Sequence, residues 1–140
     1  MNYVLREAGN LLKKHGTANP NELARCLDIE ILILPMQKIN GFFINMEGNK
    51  FAVINENISF SRQQFTLLHE IAHAHLHPED NYFIINENPL RTIRLGKDEQ
   101  QADIFAAALF LRETPEEYRG YVAGQLATKV PETYIRAMLK

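Results

Sequence analysis

The sequence predicts one α+β domain, and three observations carry that prediction. Apolar and β-branched runs cluster between residues 29 and 55, bounded by turn-forming residues. Helical periodicities with recognisable start signals lie on both sides of that cluster. The chain has 140 residues and is 46% hydrophobic, enough for a single buried core.

Residues 2–14 carry Val4, Leu5, Ala8, Leu11 and Leu12 at helical spacing, and His15-Gly16 ends the pattern. His15 is expected at the surface, where the end of a helix dipole favours an imidazole. Asn19-Pro20-Asn21-Glu22 opens a short second helix, with Asn19 as cap, Pro20 in the first position and Glu22 in the third. Leu23, Ala24 and Leu27 form its buried side. The run I-E-I-L-I-L-P, residues 29 to 35, reads as a strand stopped by proline. Residues 39–44 and 50–55 read as a hairpin around Met46-Glu47-Gly48-Asn49, where Gly48 can take a positive φ.

A helix follows. Ser61 and Gln64 have the spacing of a capping box, Phe65, Leu68, Ile71, Ala72 and Leu76 form an apolar side, and Pro78 stops it. Residues 78–97 carry weaker signals. Tyr82-Phe83-Ile84-Ile85 reads as a strand or ordered loop, Asn86 to Pro89 as a turn, and Arg91, Arg94 and Lys97 as a solvated basic face. Asp98 to Leu111 is an alanine-rich helix. Thr114-Pro115-Glu116-Glu117 predicts a capped helix to about Ala123, with Gly124 as a breaker. Pro131 opens a last helix whose apolar side is Tyr134, Ile135, Met138 and Leu139.

Composition excludes several classes of function. A net charge of -2 and a pI of about 6.2 give no broad attraction to nucleic acid or anionic membranes. Cys26 is the single cysteine, which excludes an internal disulfide framework and fits a reducing compartment. Its apolar neighbours predict a small buried side chain. The N-terminus lacks the pattern of a signal peptide, and no apolar run approaches membrane-spanning length, so a soluble cytoplasmic protein is expected.

The chemistry lies in R-Q-Q-F-T-L-L-H-E-I-A-H-A-H-L-H, residues 62 to 77. His69 and His73 are four apart, so on a helix they lie about 40° apart in rotation and about 6 Å apart in rise, on one face. Two such imidazoles can grip one ion, and Glu70 sits beside them as a carboxylate base. A bland alternative is a pair of solvated histidines on an ordinary helix. A catalytic metal needs a third protein ligand, and Glu99 is the candidate. Asp103, four residues on, shares its face and could fix the tautomer of a ligand histidine. The alternative here is a pair of surface carboxylates, but the flanking Ala102, Phe105, Ala106 and Ala107 predict a closely packed helix. His77 lies about 12 Å along the axis from His69, too far to join it on one ion. It is expected near the helix end, with a contact to substrate or the developing oxyanion as the alternative. His75 points elsewhere and is expected to be exposed, and Tyr82 is a candidate oxyanion donor.

The helix motif followed by E-Q-Q-A-D-I-F-A-A-A-L resembles the ImmA/IrrE family of zinc-dependent peptidases. N-P-N-E-L-A-R-C-L-D-I-E-I, G-F-F-I and A-V-I-N-E-N-I-S are similar to the family's approach to that helix, so the resemblance covers roughly residues 19 to 111. It implies a zincin-like α+β domain over residues 1–140, with a small antiparallel sheet against the H-E-x-x-H helix. The C-terminal helices, about 115–139, complete it. It also implies His69, His73 and Glu99 as ligands of Zn2+, Glu70 as general base and Asp103 behind a ligand. The implied substrate is a protein partner, a helix-turn-helix repressor of a phage, mobile element or stress response. An extended substrate would add to a sheet edge, and residues 50–55 are the candidate edge.

Two other classes compete. One is a non-catalytic module of the same fold that sequesters a repressor or toxin, its metal only structural. Glu70 favours the enzyme, because a structural site needs no base. The other is a DNA-binding regulator, since L-A-T-K-V-P-E-T-Y-I-R-A-M-L faintly resembles half of a helix-turn-helix. Lys129, Arg136 and Lys140 are too few to support it, and two helices covering the core are expected instead.

Overall fold

The computed structural model describes residues 2–77 and 96–139. Helix α1 (Asn2–His15) and helix α2 (Pro20–Cys26) precede strands β1 (Ile29–Leu34), β2 (Gly41–Met46) and β3 (Asn49–Asn55). Helix α3 (Phe60–Leu76), helix α4 (Gly96–Glu113), a 3-10 turn (Glu116–Tyr118), helix α5 (Arg119–Leu126) and helix α6 (Glu132–Leu139) follow. The expected α+β class is therefore the observed one. The expectations for Pro78, Tyr82 to Ile85, the turn at 86–89, Arg91 and Arg94 fall outside the described residues.

The sheet is mixed rather than antiparallel. Its order is β1-β3-β2, with β1 parallel and β2 antiparallel to β3. β3 is thus the central strand, and residues 50–55 are not an edge. The reason is that β1 occupies the second edge of β3, in parallel register from Ile29 against Lys50 to Leu34 against Asn55, and Ala52, Val53, Ile54 and Asn55 of the central strand are all buried. The hairpin turn behaves as expected, with Glu47 and Gly48 both at positive φ, as a two-residue primed turn requires.

Asn19 caps α2 by accepting the Glu22 amide at 3.1 Å. α3 starts two residues earlier than the Ser61 pattern suggests. Its cap is Ser59, whose hydroxyl accepts the Arg62 amide, and Gln63 reaches back to the Glu56 and Ile58 carbonyls. Thr114 does not cap a following helix. It donates to the Phe110 carbonyl at 2.9 Å and closes α4, and the chain then makes the 3-10 turn before α5. Gly124 lies inside α5, which continues to Leu126. Cys26 is exposed, because it ends a seven-residue helix whose buried side is Pro20, Leu23 and Ala24.

One core joins the helices to strands β1 and β3. Val4, Ala8 and Leu11 of α1, Leu67, Leu68, Ile71 and Ala72 of α3, and Leu109 of α4 are buried in it. Leu126, Val130 and Ile135 are buried too, so α5 and α6 pack onto the core. α3 and α4 form the most extensively packed helix pair. Ala102, Ala106 and Ala107 are wholly buried, and such small side chains let two helix backbones approach closely. Among the described residues, no helix is long and apolar enough to cross a membrane.

Two details fix the strand end that faces α3. A Cβ at Gly41 would stand 2.6 Å from the Val53 carbonyl oxygen and 2.8 Å from Thr66 Cγ2, so only glycine fits. Asn55 is buried and fully used. Its amide donates to the Ile39 carbonyl at 2.9 Å, and its oxygen accepts from the Met36 and Asn57 amides. Together they hold residues 36–41 against the start of α3.

Candidate active site

His69 and His73 project from one face of α3, as their spacing predicts, and Glu99 reaches them from the first turns of α4. His69 Nε2 is 3.1 Å from His73 Nε2 and 3.1 Å from Glu99 Oε2, and His73 Nε2 is 2.8 Å from Glu99 Oε1. His73 is almost wholly buried, whereas the Glu99 side chain is 48% exposed and forms the open side of the cluster.

The outer ring nitrogens are occupied. The Asp103 carboxylate can only accept, so His69 Nδ1–H donates to its Oδ1 at 2.8 Å, leaving the Nε2 lone pair turned inward. His77 Nε2 faces Gln101 Oε1 at 2.9 Å and Asp98 Oδ1 at 3.3 Å. Both accept, so His77 Nδ1 is left to accept from His73 Nδ1, 3.3 Å away. His73 Nε2 then also points its lone pair inward. Two imidazole lone pairs and a carboxylate converge on one point, and only a proton or a cation can satisfy them together.

That donor set fits a metal ion. Bonds of about 2.0–2.1 Å arranged tetrahedrally place neighbouring ligand atoms about 3.3 Å apart. The two ring nitrogens stand 3.1 Å apart, and the Glu99 oxygens approach them at 3.1 Å (Oε2 to His69) and 2.8 Å (Oε1 to His73), close to that spacing. His69, His73 and Glu99 are the three residues whose geometry could hold a cation. Two nitrogens and one oxygen suit a zinc-type ion more than calcium or magnesium, which prefer all-oxygen shells.

In the metal-free protein the proton takes the cation's place. Burial opposes a charged His69, but hydrogen bonds to Asp103 and Glu99, with the charges of Glu70 and Glu99, outweigh it and raise its pKa to about 10. Burial works against Glu99 ionising as well, yet the two histidines hold its carboxyl well below the usual range. His73 is lowered, chiefly by burial. Glu70 is raised to about 8, mainly by burial and then by Glu99 and Asp103, against the opposing His69 charge. Glu70 is 4% exposed and lines the cavity beside the cluster. Taking a carboxyl out of water is costly, which marks it as a functional group.

A cavity of about 290 Å³ opens over this cluster. His69, Glu70, Glu99 and Asp103 line it on one side, and Ile39, Asn40 and Gly41 form its opposite lip with Lys129. The strand end that reaches the site therefore belongs to β2, an outer strand, and not to residues 50–55.

Of the other sequence candidates, His77 touches His73 instead of facing this cavity, its own ring only 10% exposed. His75 is half-buried and bonds Glu7 of α1 at 3.0 Å, where surface exposure was expected. His15 is also half-buried, with Nε2 buried and without a hydrogen-bond partner. Tyr82 lies outside the described residues. Lys129 and Asn40 were not legible from the sequence, because each reaches the site from outside the two motif helices. Gln101 lies within the E-Q-Q-A-D run, but its contact with His77 follows only from the packing of α4 on α3.

A single α+β domain with a buried glutamate between two helix-borne imidazoles, and a carboxylate facing them, is built like a zincin-type metallopeptidase. The chain belongs to the ImmA/IrrE metallopeptidase family: residues 24–134 match the M78 peptidase family model, described as the IrrE N-terminal-like domain. It is 36% identical over 112 residues to "Uncharacterized immunity region protein 2" of Bacillus phage phi105, covering 78% of this chain and 70% of that protein. It is 30% identical over 111 residues to "Metallopeptidase ImmA" of Bacillus subtilis (strain 168), covering 79% of this chain and 64% of that protein.

Proposed function

We propose that this protein is a zinc-dependent endopeptidase that cleaves one regulatory protein, a helix-turn-helix repressor of a phage or mobile element. The observation that carries the reading is the convergence of His69 Nε2, His73 Nε2 and the Glu99 carboxylate beside the buried Glu70. The similarity to a phage immunity-region protein and to a metallopeptidase supports the substrate class.

In this reading His69, His73 and Glu99 hold Zn2+, and Asp103 and His77 keep the two imidazoles in the ligating tautomer. The bound metal would polarise the scissile carbonyl and acidify a water. Glu70 takes the proton of the attacking water on its carboxylate and returns it to the leaving nitrogen. The substrate backbone lies extended along β2, whose first residue, Gly41, ends the cavity lip that Ile39 and Asn40 begin. Lys129, on the same lip, is placed to donate to a substrate carbonyl.

Glu70→Gln keeps the size of the side chain and removes the base. A helix-turn-helix repressor encoded beside this gene, incubated with zinc-loaded protein, should be cut once by the native chain and left intact by the variant. Equal relief of repression in cells by both proteins would instead support the sequestering module.

A further inference from the structure

A second cavity adjoins the one over the cluster. It holds about 260 Å³ and shares Asn40, Phe65, Thr66 and Lys129 with its neighbour. The rest of its wall is mainly apolar: Phe110 from α4, with Val122 and Leu126 from α5. Phe65 and Phe110 meet edge to face at 5.7 Å, which holds both rings rigid. Lys129 Nζ lies 5.2 Å over the Phe65 ring, at the boundary between the two cavities. Tyr121, 72% exposed, stands at its edge.

Three features select the occupant. Size is the first: pockets for drug-sized ligands run to about 300–1,000 Å³, so this one suits a single large side chain. Polarity is the second, because among the described residues no carboxylate lines it, and its cations sit at the rim with Arg62 bonded to Asn40. Position is the third. A chain crossing the Ile39–Gly41 lip over Glu70 passes the shared residues, so a neighbouring side chain falls into the apolar space.

We propose that this cavity is the specificity pocket, taking a leucine-, methionine- or phenylalanine-like side chain of the residue next to the cleaved bond. The proposal rests on the peptidase reading and extends it to substrate selection. Val122 is half-buried on the cavity wall and does not line the cavity over the ligand cluster, so substitutions there reshape the pocket without touching the metal ligands.

The test has two parts. N-acetyl-leucinamide and N-acetyl-glycinamide are titrated into zinc-loaded full-length protein, with backbone amide shifts as the readout. The leucine compound should perturb Phe65, Phe110 and Val122 and bind about tenfold tighter, as expected for burying about two methylene groups. Val122→Trp should remove that difference, and Val122→Ala, which cannot crowd the fold, should shift preference toward the phenylalanine analogue. Equal binding of the two amides, or shifts elsewhere, would overturn the pocket. A peptide library is then digested by native protein and by both variants at matched zinc content. Large apolar residues should dominate one position flanking the cut, shifting to small residues in Val122→Trp. Cleavage without that preference would overturn the proposal. Selective leucinamide binding with the neighbouring repressor itself left uncut would support the apolar pocket and contradict the peptidase reading.

Discussion

His77 Nδ1 lies 3.3 Å from His73 Nδ1, and the far nitrogen of the same ring is held by Gln101 and Asp98 of α4. The histidine at the C-cap of α3 therefore stands behind the cluster. It fixes which nitrogen of His73 carries the proton, as Asp103 does for His69.

Removing either support should loosen the metal without unfolding the domain. His77→Ala and Asp103→Ala are each expected to weaken zinc affinity about 10- to 100-fold. Competition with a chromophoric chelator measures this, and circular dichroism checks the fold. Unchanged affinity in both variants would mean that the outer nitrogens do not matter.

The metal-free protein should lose stability as pH rises from 7 to 10. His69, ordinarily near 6.5, is raised to about 10, so the folded state holds a proton that the unfolded state has released. That contribution is complete below about 6.5 and lost as pH climbs through 10. Glu70, raised to about 8, acts in the same direction up to that pH, because its ionisation is penalised only in the folded state. His73 is neutral in both states above 7 and adds nothing there. Zinc competes with the His69 proton, so the gap in Tm between zinc-loaded and metal-free protein should widen across the same range. Thermal melts in matched buffers would show this. A gap that narrows with pH would contradict the assignment.

Gly41→Ala should cost about 1–3 kcal/mol, the usual penalty for overpacking. Its Cβ must displace the Val53 carbonyl or Thr66, and moving β2 away from α3 would also deform the cavity lip. Urea denaturation gives the first effect. A stability unchanged from native would show that the strand end can shift freely.

Asn55→Ala removes three hydrogen bonds from a buried site, leaving the Ile39 carbonyl and the Met36 and Asn57 amides without that partner. A loss of about 2–4 kcal/mol is expected, as for buried groups left unsatisfied. Hydrogen exchange should quicken first in residues 36–41.

The sequence made most of the site legible because its chemistry is periodic. His69, Glu70 and His73 lie within two turns of one helix, and Glu99 and Asp103 repeat the four-residue spacing on another. The helix starts were less legible. Ser61 and Gln64 matched a capping pattern, but Ser59 caps α3, and its N3 residue is Arg62, which cannot reach back as a glutamine does. Sheet order was misread for a related reason. Local sequence shows that residues 49–55 pair with β2, but only the tertiary fold brings β1, more than a dozen residues upstream, to the other edge of that strand. Lys129 and Asn40 came from tertiary packing alone. No local pattern tells a surface lysine near the C-terminus that it will stand on the lip of the site.

The most direct test of the account is metal stoichiometry. Native protein, His73→Ala and Glu99→Ala would each be reconstituted with zinc, passed through a desalting column and measured by elemental analysis. The account predicts about one zinc per chain in the native protein and marked loss in both variants. Native protein that emerges without zinc, or full occupancy in both variants, would contradict a site built from His69, His73 and Glu99.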